Sequence, residues 1–534
     1  MATCTRRTFL KAAALGSATL VRPRPARADR TARAKPNIVL VLTDDLGWTD
    51  TSVRMMPDRA DSASDFYRTP ALAKMAADGM VFSNAYAAAP VCTPSRAAVQ
   101  FGKTPARLRQ TVVHDVLAQV RGIDCKGERS IAQVVKSADA SYRTGHFGKW
   151  GFPPRSPTHA GYDETDGPTN NFHGDFRALN DRRPLPGDDP KRMFSVTARA
   201  NDFMARQQRQ GQPFFLQVSH YAIHVHSAAR RETVAKCLQR PRGRKCSDRD
   251  YASPPPPPNA WMMTYAAMIE DLDAALGLLL KQIDDLGIRD RTYVIFTSDN
   301  GGGFRTNRPL RSGKATLWEG GLRVPMVIRG PGVSAGTTCP VPVAGWDLLP
   351  TVHDLIGSSK PLPAGIDGGS LRPLFARPKA GSVRRTTEAL VFHFPWYGAM
   401  PMSAIRLGDL KLVRDLNTGR TALFDVVRDL SETKDLTASM PDKARTMRDM
   451  LDGYLRSVGA ENLDAMRDAR RDELLRYTDR ATKDMDRART RLAEMPNGAR
   501  REKLQAELAG AERQLRAHQR ALKHLKDSEK TRAW

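Results

Sequence analysis

The sequence predicts an α/β fold. It has a large, doubly wound, mainly parallel sheet domain, a smaller C-terminal α+β subdomain and a helical hairpin tail. Three observations carry this prediction. Three apolar, β-branched runs, at 38–42, 214–218 and 292–297, each end in polar residues, as buried parallel strands do. Helical periodicity accompanies them, as at 262–283, where Met268, Leu272, Ala275 and Leu279 share one face. Beyond about Glu461 the pattern changes to a repeated four-three apolar spacing.

Each element follows from its residues. Lys35-Pro36-Asn37 leads into the run 38–42, which stops at Asp44-Asp45. The run 214–218 ends in polar residues at His220, and 292–297 ends in Ser298-Asp299-Asn300. Strands alternating with helices form doubly wound sheets, whose sites lie at the carboxyl ends of the strands. All three polar clusters are therefore expected at one edge. Pro254 to Pro258 reads as an extended exposed loop. The Pro-, Gly- and Arg-rich stretch 361–385 marks a boundary. After it, 402–412 and 421–427 read as antiparallel strands and 440–455 as a helix. The expected segments are 1–28, 29–385, 386–458 and 459–534.

In the tail, Leu474, Thr478, Ala481, Met485, Ala488, Leu492 and Met495 form one seam. Leu504, Leu508, Ala511, Leu515, His518, Leu522 and Leu525 form a second, and Pro496-Asn497-Gly498 is the turn between them. The hairpin is either docked on its own protein or an arm for oligomerisation or polyanion docking.

The formal net charge is +26 over 534 residues, which favours polyanionic partners without choosing among them. Arg6-Arg7 precedes a short apolar stretch and an Ala26-Arg27-Ala28 cleavage pattern, the arrangement of a twin-arginine signal peptide over 1–28. The expected location is the periplasm or the extracellular space, reached through the twin-arginine export machinery. The apolar stretch is too short to span a bilayer. Of the six cysteines, Cys4 leaves with the signal, and Cys237 and Cys246 are either disulfide-linked or thiols.

The most specific signal is Cys92-Thr93-Pro94-Ser95-Arg96. It occurs with Lys35-Pro36-Asn37 to Gly47-Trp48, with Gly145-His146-Phe147-Gly148-Lys149-Trp150, with Ser298-Asp299-Asn300-Gly301-Gly302 and with the block from Gly313 to Gly321. In this order the blocks resemble the type I, formylglycine-dependent sulfatases, an arylsulfatase-like branch of the alkaline-phosphatase-like superfamily. The resemblance spans roughly 35–455. Independently of it, Asp44, Asp45, Asp299 and Asn300 are hard oxygen donors at two strand ends, a set suited to calcium or magnesium rather than zinc.

The resemblance implies that Asp44, Asp45, a formylglycine made from Cys92, Asp299 and Asn300 surround one cation, usually calcium. It implies that Arg96 stabilises the hydrated aldehyde, that Lys149 bridges nucleophile and sulfate, and that Lys314 binds sulfate. His224 is the expected general acid, with His226 and His220 as neighbouring alternatives. The implied partners are a sulfated small molecule or polysaccharide as substrate and a formylglycine-generating enzyme, with no specific nucleic acid. The rival activities are phosphomonoester or phosphonate hydrolysis and non-catalytic anion binding. The sequence departs from the family pattern at Phe101-Gly102-Lys103, where Thr-Gly-Arg is common, and at Ile223, where Pro often precedes the histidine. It departs again at Gly151, where many members carry His. The Lys103 departure is expected to alter hydrogen bonding around residue 92.

Overall fold

The first strand, β1 (Asn37–Thr43), is buried along its whole length, and its side chains alternate between two apolar layers. Ile38 and Leu40 face a core shared with Phe101, Ile131 and Leu349. Val39 and Val41 face one shared with Leu72, Phe203 and Leu272. A strand with apolar side chains on both faces has to lie inside a sheet covered on both sides. In the computed structural model, which describes residues 35–113, 127–152, 156–170, 188–224, 227–241, 260–303, 307–395 and 400–527, it does.

Seven further strands complete this sheet. They are β2 (Met80–Phe82), β4 (Arg143–Gly148), β5 (Glu164–Thr165), β6 (Phe214–Ser219), β7 (Thr292–Ser298), β8 (Met326–Arg329) and β9 (Thr337–Cys339). Their order is β5-β4-β6-β1-β7-β8-β2-β9, and β3 (Ala85–Tyr86) pairs separately with β10 (Val343–Ala344). β5, β4, β6, β1 and β7 run parallel. β8 is antiparallel to both its neighbours. One face is covered by the helices Pro70–Ala77, Met193–Arg209 and Ala260–Asp285, and the other by Cys92–Phe101, Ile131–Ala138 and Leu348–Leu355. The three strands legible in the sequence are the adjacent central trio β6-β1-β7, whose carboxyl ends form a single edge.

The C-terminal subdomain is a four-stranded antiparallel sheet, β11 (Leu390–Phe394), β12 (Met402–Leu407), β13 (Leu410–Asp415) and β14 (Thr421–Asp425), in that order. The run 402–412, expected as one strand, is instead most of a hairpin. Gly408 adopts φ +60° and turns the chain between β12 and β13. The helix Pro441–Ser457 covers this sheet through Met447, Leu451 and Tyr454, which pack with Ile405, Leu412 and Leu423.

The tail consists of two long helices, Leu463–Ala493 and Ala499–Asp527, packed on each other. Leu474, Ala481, Met485, Leu492, Leu504 and Leu525 of the expected seams are buried. His518 stacks on Tyr477 with ring centroids 5.3 Å apart. No helix among the described residues is long and apolar enough to cross a membrane. The segment 1–28, the five-proline run, His226 and Cys246 lie outside the described residues. Cys237 is buried.

Candidate active site

Four chain segments meet at the carboxyl edge of β6-β1-β7. Backbone bonds fix their exits: Asp299 N donates to Thr43 O, His220 N to Leu42 O, and Lys149 N to Ser219 O. Asp45 sits in the left-handed region, φ 64°, so the chain turns sharply straight after β1. An aspartate tolerates this conformation better than most residues, and departures of this kind cluster at functional sites. The side chains of Asp44 and Asp45 are thereby presented to the end of β7.

Here Asp44, Asp45 and Asp299 each offer a carboxylate oxygen within 4.8 Å of the others. Asn300 Nδ2 donates to Asp45 Oδ1 at 2.8 Å, and Asp45 N donates to Asp299 Oδ1 at 3.2 Å. Three carboxylates in one buried space repel one another, and three cations answer them. Lys149 Nζ donates to Asp44 Oδ2 at 2.5 Å, Arg96 Nε to Asp299 Oδ2 at 2.7 Å, and Lys314 Nζ to both oxygens of Asp45 at 2.6 and 2.7 Å. His224 Nε2 lies 4.0 Å from Asp45 Oδ2.

The electrostatics divide the acids. Burial would raise Asp44, but Lys149 foremost, with His224, Arg96 and Lys314, holds it well below the usual carboxylate range. Burial, reinforced by the charge of Asp44, pushes Asp299 up to about 6 despite Arg96. Burial opposes the charge on Lys149 and Lys314 as well, yet the facing carboxylates raise both above the ordinary lysine value. The negative potential of the acids therefore keeps both lysines charged.

Cys92 opens the ten-residue helix Cys92–Phe101, following Val91 at the cap. A helix N-terminus favours negative charge on the group it carries. Cys92 is buried, and it is among the groups that raise Arg96, Lys149 and Lys314. Arg96 lies one turn along the same helix, where its NH1 also donates to Lys149 O at 2.9 Å. The structure thus brings together every site residue expected from the sequence: Asp44, Asp45, Cys92, Arg96, Lys149, His224, Asp299, Asn300 and Lys314. His220, one alternative to His224, is fully buried, and that burial lowers it to about 4. The side chain of His224 keeps 16% exposure, which suits a group meeting substrate.

The donor set fits a hard cation. Among the described residues, the buried oxygens Asp44 Oδ1 and Asn300 Oδ1 have no hydrogen-bond partner, a costly state for polar atoms shielded from water. Asp44 belongs to the acidic cluster and Asn300 is bonded to it through Asp45, and oxygen donors of this kind are what calcium or magnesium takes.

One departure from the family pattern has a different consequence from that expected. Lys103 does not reach the surroundings of residue 92; its Nζ pairs with Glu128 Oε2 at 2.7 Å. Gly102, with φ +63°, ends the helix of Cys92 and leads the chain away. Gly151, in contrast, is at the site. A Cβ placed there would lie 3.3 Å from Lys149 Cε and 3.9 Å from Arg96 Cδ.

Residues to which the sequence reading gave no individual role surround Lys314. Lys314 N donates to Gly302 O and Ala315 N to Pro90 O, joining its loop to β7 and to the approach to Cys92. Glu319 lies inside the glycine-rich block and is fully buried, which nothing in its sequence surroundings signals.

Comparison with known proteins bears on this geometry. Residues 36–358 match the Sulfatase family model. The chain belongs to the sulfatase family. This sulfatase is 30% identical to N-acetylgalactosamine-6-sulfatase of Mus musculus over 415 residues, which cover 70% of this chain and 71% of that one. It is 31% identical to human arylsulfatase A over 417 residues, covering 70% and 74%. The crystal structure of Ps i-CgsB shares the fold with a TM-score of 0.65 at 26% identity, covering 79% of this chain and 93% of that one. That protein has also been crystallised with k-i-k-neocarrahexaose. The chain is accordingly a sulfuric ester hydrolase on a sulfatase fold.

Proposed function

We propose that this enzyme hydrolyses sulfate monoesters of carbohydrates, using a formylglycine derived from Cys92 and one divalent cation. The observation that carries the reading is the convergence of Arg96, Lys149 and Lys314 on three carboxylates beside Cys92 at a helix N-terminus. Asp44, Asp45, Asp299, Asn300 and residue 92 would hold calcium, with magnesium as the alternative ion. When bound, the cation supplies charge to neutralise the sulfate oxygens.

This chain's own groups do the rest. Before turnover, a formylglycine-generating enzyme with dioxygen as the oxidant converts the Cys92 side chain to an aldehyde, the C–S bond breaking and the sulfur leaving as sulfide, and the aldehyde adds water to give a gem-diol. One hydroxyl of the diol gives up its proton to solvent and attacks sulfur, and the S–O bond to the alcohol breaks. His224, positioned at the partly exposed rim, gives the departing oxygen its proton. The second hydroxyl then loses its proton to solvent, the C–O bond to the sulfate breaks, and the aldehyde returns as sulfate leaves. Serine lacks that second hydroxyl and would stop at the ester. Arg96 steadies the diol, and Lys149 and Lys314 stabilise charge on the sulfate.

A carbohydrate substrate is supported by the names of the relatives, an N-acetylgalactosamine-6-sulfatase and a protein crystallised with a hexasaccharide, and by the basic charge of this chain. The twin-arginine pattern supports export to the periplasm or beyond. The mass of the peptide containing residue 92 tests the central claim. It should be lower by the difference between thiol and aldehyde, and fully active enzyme with unmodified Cys92 would sink the mechanism. The ratio of kcat/KM for matched aryl sulfate and aryl phosphate should favour sulfate.

A further inference from the structure

Lys314 is carried by a loop that is gripped from two sides. On the inner side are the site contacts: Lys314 N to Gly302 O, Ala315 N to Pro90 O, and Gly301 N to Gly321 O. On the outer side lies the antiparallel subdomain, and its contacts are of an unusual kind. Lys411 of β13 is fully buried and places Nζ between two buried carboxylates, 2.9 Å from Glu319 Oε1 and 3.0 Å from Glu432 Oε1. The other oxygen of Glu432 accepts the backbone N–H of Glu319 at 2.7 Å. Arg311 NH1 donates to Glu432 O at 3.0 Å, and Ser431 Oγ donates to Pro309 O at 2.6 Å. Arg311 also stacks on Trp318, 3.5 Å from the ring centroid, and Trp318 meets Phe424 of β14 edge-on.

An ion pair that served only to join two domains could be replaced by apolar residues with little loss, since burying charges costs about what their attraction returns. These groups do something an apolar contact cannot. They bind main-chain atoms at Pro309 and Glu319 and the side chain of Arg311, on either side of Lys314. The loop is thereby fixed at both ends by one turn of the subdomain, Ser431-Glu432. Glu432 itself holds φ +51°, an uncommon conformation that aims both its carbonyl and its carboxylate at the loop.

We propose that Glu432 and Lys411 are positioning residues for the sulfate-binding lysine, so that the C-terminal subdomain completes the active site from behind. The inference rests on the sulfatase reading above, in which Lys314 contacts the sulfate. A positioning role has a signature that general stabilisation lacks: the effect must pass through Lys314.

The test is a double-mutant cycle on the full chain with a nitrophenyl sulfate, measuring kcat and KM for Lys314→Ala, Glu432→Ala and the pair. Glu432→Ala should raise KM roughly tenfold, with a smaller fall in kcat, because interaction through a shared loop is of that size. In the Lys314→Ala background the same change should add almost nothing. Glu432→Gln, whose amide oxygen can still accept from Glu319 N, should recover most of the KM. If Glu432→Ala multiplies the Lys314→Ala loss in full, the positioning role is overturned while the sulfatase reading stands. If Lys314→Ala alone leaves kcat/KM intact, the sulfate-binding role of Lys314 falls, and the inference with it. Should Glu432→Ala fail to fold, Ser431→Ala, which removes only the bond to Pro309, takes its place in the cycle and is judged by the same two outcomes.

Discussion

The Thr93 hydroxyl donates to the Gly151 carbonyl at 2.9 Å. The residue next to the nucleophile position is thus tied to the glycine that stands where many sulfatases carry histidine. Gly151 adopts φ +76°, and its missing side chain would point between Lys149 and Arg96. Gly151→Ala should therefore cost about 1 kcal/mol of stability through the left-handed backbone, with little change in turnover. Gly151→His pays a similar cost, since histidine is among the residues that tolerate this region. It should nevertheless raise kcat on nitrophenyl sulfate, because it restores a proton-transfer group beside residue 92. Thermal denaturation and steady-state kinetics on the two variants separate the effects. Equal turnover for the two would show that the space serves something other than a missing base.

His224 is the rim histidine, 4.0 Å from Asp45 and partly exposed. If it protonates the departing alcohol, His224→Ala should lower kcat by roughly 10²- to 10⁴-fold for a sugar sulfate. The loss for nitrophenyl sulfate, whose leaving group needs no proton, should be much smaller. Losses of equal size on the two substrates would refute the role.

Two of the three acids of the candidate metal site, Asp45 and Asp299, differ in what else they hold. Asp45 accepts from Lys314 and Asn300, whereas Asp299 accepts from Arg96 and from the backbone of Asp45. Asp45→Asn and Asp299→Asn should both abolish the rise in Tm that calcium gives the parent enzyme, since ligand binding stabilises only a site that binds. Asp299→Asn should in addition lower the Tm of the chelated protein more than Asp45→Asn does, because it leaves fully buried Arg96 with only the more distant carboxylate of Asp44, 4.0 Å away, whereas Lys314, which loses Asp45, is partly exposed. Calcium titrations followed by thermal unfolding give both quantities. A chelated parent enzyme with full activity would remove the cation from the reaction.

The sequence made the central strands legible because β6, β1 and β7 are apolar on both faces, and their polar ends name the site. Edge strands carry no such signal. β5 is two residues long, and β9 is the three-residue Thr337–Cys339. The antiparallel β8 looks like any short apolar run. The hairpin between β12 and β13 was hidden because Gly408-Asp409 interrupts the run without ending its apolar pattern. Lys103 was misjudged because proximity in sequence to Cys92 is undone by the helix between them, which carries residue 103 to Glu128. The grip on Lys314 was illegible for a plainer reason: Glu319, Lys411 and Glu432 are ordinary charged residues until the fold buries them together.

The base of the tail provides a last prediction. Glu461 lies just before the helix Leu463–Ala493. Its carboxylate accepts from Thr111 Oγ1 at 2.5 Å, and its carbonyl pairs with His393 Nε2 at 2.7 Å. A carbonyl can only accept, so His393 carries its proton on Nε2 and takes the Ser403 hydroxyl on Nδ1. The hairpin beyond has a self-contained seam, and these buried bonds precede it. Truncation after Asn462 should therefore leave a folded, active enzyme. Truncation after Gly459 removes Glu461, strands Thr111 and His393, and should cost about 1–3 kcal/mol for each buried group left unpaired. Burial also pulls His393 down to about 4 from the ordinary histidine value near 6.5. Between those pH values the unfolded chain binds a proton that the folded one refuses, so this contribution to stability is lost as pH falls through the window. Thermal melts from pH 7 to pH 4 should show a declining Tm, and His393→Gln should flatten the decline. An unchanged slope in that variant would mean that His393 is not the titrating group, and equal stability of the two truncations would mean that the bonds of Glu461 to Thr111 and His393 do not contribute to folding.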